Sequence, residues 1–175
     1  MQLTPTMQKY ILHWGEMGTR WGVNRTVAQI HALLFLSNKP LPAEDIADTL
    51  NVARSNVSNS LKELQSWGLV RITHVLDDRR DHFVALQDVW EIFRVISEER
   101  KRREIDPTLT VLRECALEAE NDPGLEAATK AKMDQVLAFL EMLTATYEDY
   151  KHLPPATLQR FLKMGGKVAR LISND

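Results

Sequence analysis

Six polar side chains crowd the start of one candidate helix: Arg54, Ser55, Asn56, Ser58, Asn59 and Lys62. At about 100° per residue Val57, Leu61 and Leu64 form one inward stripe, and Ser55, Asn59 and Lys62 face the other way. Short polar groups let a helix sit deep in a groove. An Asn amide pairs bidentately with adenine, a Ser hydroxyl donates to bases or phosphates, Lys62 reaches a phosphate farther along, and Arg54 clamps backbone or guanine. Ser and Asn also cap helices and build turns, so Ser55 or Asn56 has that second use. A charged run, Asp77-Asp78-Arg79-Arg80, reads as a hairpin tip. Arg79 and Arg80 there suit a narrow minor groove, with Asp77, Asp78 and Asp81 near enough to hold a guanidinium in place.

Nothing in the chain reads as catalytic. His13, His31, His74, His82 and His152 lack metal-ligand spacing, no Ser-His-Asp or Cys-His pair declares itself, and there is no phosphate-binding glycine loop. Cys115 is the single cysteine and reads as a small buried hydrophobe. No catalytic role, metal or cofactor is expected.

The elements that must hold the polar helix are legible. Pro42 opens a helix over AEDIADTLN with Ile46, Ala47 and Leu50 inward, Asn51-Val52-Ala53 turns, and the polar helix runs from Arg54 to Trp67 and closes at Gly68. Two strands follow: Leu69, Val70, Ile72, Val75 and Leu76 lead to the tip, and Phe83, Val84 and Leu86 return. Residues 43–86 therefore read as a winged helix-turn-helix, a unit that usually holds DNA.

Upstream, Thr4 or Thr6 caps a first helix with Pro5 in its first turn, and Met7, Tyr10, Trp14, Met17 and Trp21 recur along one seam with Gly15, Gly18 and Gly22 beside it. These glycines either admit another backbone or are tolerated in a core helix. A second helix runs from Asn24 to the Asn38-Lys39-Pro40 stop, and Leu41 makes a short strand. Downstream, Asp88 begins a helix carrying Val89, Ile92, Phe93 and Ile96 that ends in the charge run 98–104, with Asp106-Pro107 as a break. A helix over 108–120 follows, then one over 125–151 whose Met133, Val136, Leu140, Leu143, Tyr147 and Tyr150 form a narrow seam suited to a partner helix. After Pro154-Pro155 a last helix carries Leu158, Phe161, Leu162, Val168 and Leu171, with a kink expected at Gly165-Gly166.

The expected fold is mostly α with a small β-wing: residues 1–38 as supporting helices, 39–87 as the winged helix-turn-helix, and 88–175 as a helical dimerisation and effector region. Length and the 44% apolar content suit a core that needs no staples. The longest apolar run, Ala32 to Leu36, is too short to span a membrane, and the amino end lacks a secretory pattern, so a cytoplasmic protein with no membrane partner is expected. Net charge is −2, yet residues 1–86 carry nine Lys or Arg against eight Asp or Glu, and the remainder thirteen against sixteen. The polarity has the sign a nucleic-acid-binding amino half needs, and its small size demands shaped contacts and binding as a pair.

The run SNVSNSLKELQSWGLVRI and then DDRRDHFVALQDVWEIF resembles the MarR superfamily of bacterial and archaeal regulators, and within it the GbsR branch. The likeness covers about residues 5–105 and rests on Asn56-Val57-Ser58, Leu61, Leu64, Trp67-Gly68-Leu69-Val70, Asp78-Arg79-Arg80 and the stretch from Asp88 to Phe93. It implies a homodimer whose two recognition helices read a pseudo-palindromic double-stranded operator about one helical turn apart. It also implies an interface built from helices at both chain ends. Met7, Tyr10 and Trp14, with Met133, Val136, Leu140, Leu143 and Tyr147, are the candidates. Some members of that branch respond to choline or related osmolytes, for which Tyr10, Trp14, Trp21, Tyr147 and Tyr150 would be the cage, although core or dimer packing is the favoured use of these rings. The expected function is sequence-specific repression by occlusion, retuned by a small effector of unknown identity. The competing expectation is a winged-helix protein-interaction module without DNA binding.

Overall fold

The computed structural model describes the backbone of residues 1–172 and the side chains of that span apart from residue 162 and residues 166–172. Leu162, Val168 and Leu171 therefore lie outside the described side chains. The chain divides into two compact units, Met1–Ile96 and Ser97–Asp175.

In the first unit α2 (Arg25–Leu36) is the hub. Its sequence is apolar on more than one face, and Val27, Ala28, Ile30, His31, Ala32, Leu33 and Leu34 are all buried, as expected of a helix surrounded by protein. The Asn24 side chain caps it by accepting from the Thr26 N–H at 2.8 Å. Helix α1 (Pro5–Arg20), capped by Thr4, packs on α2 through Ile11, Gly15 and Gly18. The aromatic seam straddles that contact line instead of filling it: Trp14 and Met17 are half-buried, Tyr10 and Trp21 exposed. A Cβ at Gly18 would lie 2.5 Å from the Ala28 Cβ, so the glycine is what lets the two backbones approach.

Strand β1 (Leu41–Pro42) leads into α3 (Ala43–Leu50), which ends where Asn51 takes φ 52°, and α4 (Arg54–Ser66) follows. Val57, Leu61 and Leu64 of α4 close the core with Ile30, Leu33, Leu34, Leu41 and Ile46. Each is fully buried and worth about 1.5–3 kcal/mol relative to exposure. Gly68, at φ 77°, turns the chain out of α4, and the Leu69 N–H reaches back to the Leu64 carbonyl at 2.9 Å. Strands β2 (Val70–Val75) and β3 (Asp78–Ala85) form the wing, and the antiparallel sheet has the order β1-β3-β2 with Leu41 opposite Phe83 and Val70 opposite Ala85.

The wing turn is tighter than its charge run suggests. It consists of Leu76 and Asp77 alone, with Asp77 at φ 65°, and Val75 pairs with Asp78. Arg79 and Arg80 therefore belong to β3 and not to the tip.

Helix α5 (Val89–Arg100) starts under the Asp88 carboxylate, which accepts from the Trp90 and Glu91 N–H groups at 2.8 and 2.9 Å. The break expected at Asp106-Pro107 does not occur. A π segment, Lys101–Ile105, joins α5 directly to α6 (Asp106–Ala119). The Asp106 N–H bonds to the Lys101 carbonyl, one residue farther back than in an α-helix. That altered register absorbs the proline, which has no N–H to place and would otherwise press on the carbonyl four residues back.

In the second unit α6 and α7 (Ala127–Tyr150) pack as an antiparallel pair, with Lys101 near Glu148 at 3.4 Å and Arg113 bonded to Glu141 at 2.9 Å. Helix α8 (Pro155–Ile172) runs through Gly165-Gly166 without a break in the helix.

Candidate nucleic-acid interface

The buried stripe of α4 fixes how its other side is presented. With Val57, Ser60, Leu61 and Leu64 inward, Arg54, Ser55, Asn56, Ser58, Asn59 and Lys62 all face solvent within the first unit. No side chain caps α4, so its first N–H groups remain open to an incoming oxygen. Two side chains not expected from the sequence at this site stand beside it: Asn24 and Thr26, at the start of α2, border a polar cleft with Asn56, Asn59, Ser60 and Glu63. Asn24 is legible in the sequence only as a cap, and its nearness to α4 is a tertiary fact.

The arginines are held by α3. Arg54 pairs with Glu44, and Arg80 lies 3.6 Å from Asp45, so the two acids of the first turn of α3 face α4 on one side and the wing on the other. Both pairs are exposed, and such pairs contribute little to stability, so a phosphate can displace either carboxylate. Arg80 is held more firmly by Asp78: Nη2 lies 2.5 Å from Oδ2, Nε 3.0 Å from Oδ1, and the Arg80 backbone N–H donates to Oδ1 at 3.0 Å. Those bonds hold the Asp78 carboxyl well below the usual carboxylate range. Buried His82 closes the group, with Nδ1 donating to the Arg80 carbonyl at 2.9 Å and Nε2 3.4 Å from Asp78. Arg79, exposed on β3, has no ion-pair partner among the described residues. At the turn itself Leu76 exposes 90% of its surface, an apolar tip that the charge pattern hides.

Residues 21–81 match the MarR family model. Over 136 residues the chain is 21% identical to the HTH-type transcriptional repressor GbsR of Bacillus subtilis (strain 168), covering 76% of this chain and 75% of that protein. A solved structure described as a transcriptional regulator shares the fold, with a TM-score of 0.65 and 16% identity over 84% of this chain and 96% of that one. The MarR-family match spans α2 to the start of β3, the segment that carries the polar face of α4 and both wing arginines.

The remaining MarR-type expectations fall on the helices. In α7 the seam divides: Met133, Leu140 and Tyr147 are half-buried, whereas Val136 and Leu143, 50% and 46% exposed, join Phe139 at 54% on a stripe about a quarter turn away. The five rings expected to cage a cation do not form one box within either unit. Tyr10 lies flat on Trp14 at 5.6 Å, Trp14 and Trp21 share a cleft, Tyr150 leans on Phe161 at 4.7 Å, and the Tyr147 hydroxyl donates to Glu98 at 2.9 Å. No group of side chains among the described residues has the makings of a metal site, and no described helix is long and apolar enough to cross a membrane.

Proposed function

We propose that the chain is a homodimeric, sequence-specific DNA-binding repressor whose operator affinity a small effector retunes. Residues 1–38 support the fold, 39–87 read the duplex, and 88–175 serve for pairing. The observation that carries this reading is the uncovered amino half of α4, where Ser55, Asn56, Ser58 and Asn59 stand exposed between Arg54 and Lys62. Small polar groups at that end fit a major groove about 12 Å wide and can make bidentate contacts to base edges, while Arg79 and Arg80 on the wing reach the neighbouring backbone or minor groove. Repression is the role named for the Bacillus subtilis relative, and the occlusion of a promoter by a dimer requires nothing more than tight binding. The exposed stripe Val136, Phe139 and Leu143 supports pairing, because an apolar row on a helix is the surface a second copy would cover.

Selection of bound sites from random duplexes tests the reading. The wild type should enrich an inverted repeat with half-sites about one turn apart. Asn59→Ala should lose preference at a major-groove position, and Arg80→Ala should weaken or alter the flanks. No enrichment, or duplex binding unaffected by Arg54→Ala, Lys62→Ala and Arg79→Ala, would instead favour a protein-interaction module.

A further inference from the structure

The wing sheet contains an irregularity that carries both arginines. Thr73 of β2 pairs with His82 of β3 and Val75 with Asp78, so His74 alone stands opposite Arg79, Arg80 and Asp81. Such a bulge leaves backbone groups without ladder partners and re-aims the side chains it carries. Here the backbone of Arg80 is met by side chains of its own strand. Its N–H donates to the Asp78 carboxylate at 3.0 Å, and its carbonyl accepts from His82 Nδ1 at 2.9 Å. A carbonyl can only accept, so the ring hydrogen sits on Nδ1. The Nε2 edge of the same ring lies 3.4 Å from Asp78, and one imidazole thus touches both Asp78 and Arg80.

The position of that ring calls for a reason. His82 is 5% exposed, on the central strand of the sheet, paired with Pro42 of β1 and Thr73 of β2. A valine or leucine would fill an inward strand position without a polar group to satisfy. The imidazole instead aims its donor at the backbone of the bulge. Around it Arg80 is tethered, with Asp78 on its guanidinium and Asp45 of α3 at 3.6 Å, while the adjacent Arg79 has no ion-pair partner among the described residues. Neighbouring side chains of a regular strand point to opposite faces, whereas Arg79, Arg80 and Asp81 are all exposed here.

Resting on the regulator reading above, we infer that His82 is a positioning residue of the duplex contact: shielded from the nucleic acid itself, it fixes the bulge through which Arg79 and Arg80 reach it. Without the Nδ1 bond the Arg80 carbonyl loses its partner and the segment can slip toward a regular register. A slip of one residue sends each side chain to the other face, so the two arginines would no longer be presented together.

Binding of the full chain to the duplex enriched by site selection, measured at several salt concentrations, is the test. His82→Leu keeps a buried apolar side chain and removes the ring donor, and His82→Asn restores a donor the same two bonds from Cβ. His82→Leu should lower the slope of log affinity against log salt by about 0.9 for each arginine that leaves its phosphate, and should flatten the flanking preference while the half-site preference set by α4 stays. His82→Asn should return both toward the wild type. In an Arg79→Ala, Arg80→Ala background His82→Leu should change neither further, because it acts through those side chains. A wild-type slope and flank in His82→Leu, no recovery in His82→Asn, or an effect that persists without the arginines would overturn the assignment. So would unfolding of both variants, followed by tryptophan fluorescence, which would make His82 a core residue alone. Ring-nitrogen NMR of the chain free of DNA should find the hydrogen on Nδ1, and a hydrogen on Nε2 instead would also overturn it. A wild type that binds no duplex takes down the regulator reading and this inference together, whereas a duplex-binding wild type matched by His82→Leu takes down this inference alone.

Discussion

Acid should unfold the first unit through His31, and the size of the effect follows from its burial. The ring takes a proton near pH 6.5 when free and only near pH 4 in the folded chain. Between those values the unfolded chain holds more protons than the native one, so stability is fully present above about pH 6.5 and falls as the pH drops toward 4. Each tenfold loss of proton affinity is worth about 1.36 kcal/mol, and the fall from 6.5 to about 4 therefore comes to about 3 kcal/mol, a large share of the total for a domain of this size. Trp14, Trp21, Trp67 and Trp90 are the four tryptophans and all lie in residues 1–96, so urea unfolding followed by tryptophan fluorescence reports on the unit that contains His31. His31→Leu keeps an apolar side chain on the buried stripe of α2 and removes the titration. The wild type should lose about 3 kcal/mol more than this variant between pH 7 and pH 4. Asp78 does not blur the comparison, because its carboxyl is held well below the usual range and its contribution is lost only at still lower pH. Parallel pH profiles for the two proteins would refute the argument.

Other consequences can be measured on the same material. Gly18→Ala gains about 1 kcal/mol of helix propensity but sets a Cβ 2.5 Å from that of Ala28, and overpacking of about 1–3 kcal/mol should leave a net loss, whereas Gly165→Ala, with open space around it, should be neutral or stabilising in thermal unfolding. Arg79→Ala should reduce the slope of log affinity against log salt by about 0.9, the signature of one lost phosphate contact. Asp78→Asn, which keeps the Arg80 charge but loosens its anchor, should leave that slope intact and broaden the flanking preference in site selection. Phe139→Glu should weaken self-association by about 2–4 kcal/mol in sedimentation equilibrium, since a two-fold interface meets the charge twice; an unchanged dimer constant would move the interface elsewhere.

The contrast between what periodicity carries and what it misses has a physical cause. Val57, Leu61 and Leu64 mark α4 because a helix half sunk in a core must repeat its apolar residues locally, and Gly68 marks its end because the left-handed turn there is a backbone requirement. The wing turn escapes the sequence because its position depends on strand pairing, Val75 opposite Asp78, which four adjacent charges do not encode. Pro107 reads as a break under the rule for an α-helix, and the π register removes the premise of that rule. The α7 seam holds two faces in one pattern, one turned to α6 and one to solvent. His31 looks like an isolated histidine when only metal and catalytic spacings are sought. Its spacing of four from Val27 and three from Leu34 places it on the buried stripe, and only the tertiary packing of α1 and α4 turns that stripe position into the wall of a cleft.

Gly18 and Gly68 separate two reasons for glycine, and substituting both tells whether the joint at the end of α4 works by shape or by backbone. At Gly18 the limit is space, with φ in the ordinary helical range and Ala28 in the way. At Gly68 nothing lies within 4 Å of an added Cβ, so the limit is conformation alone, φ 77°. Asparagine tolerates the left-handed region better than alanine does, although it is the larger residue. Gly68→Ala should therefore cost about 1–2 kcal/mol and Gly68→Asn clearly less, while at Gly18 the order reverses because volume is what counts there. If Gly68→Asn is as damaging as Gly68→Ala, the left-handed turn is not what fixes the angle between α4 and the wing.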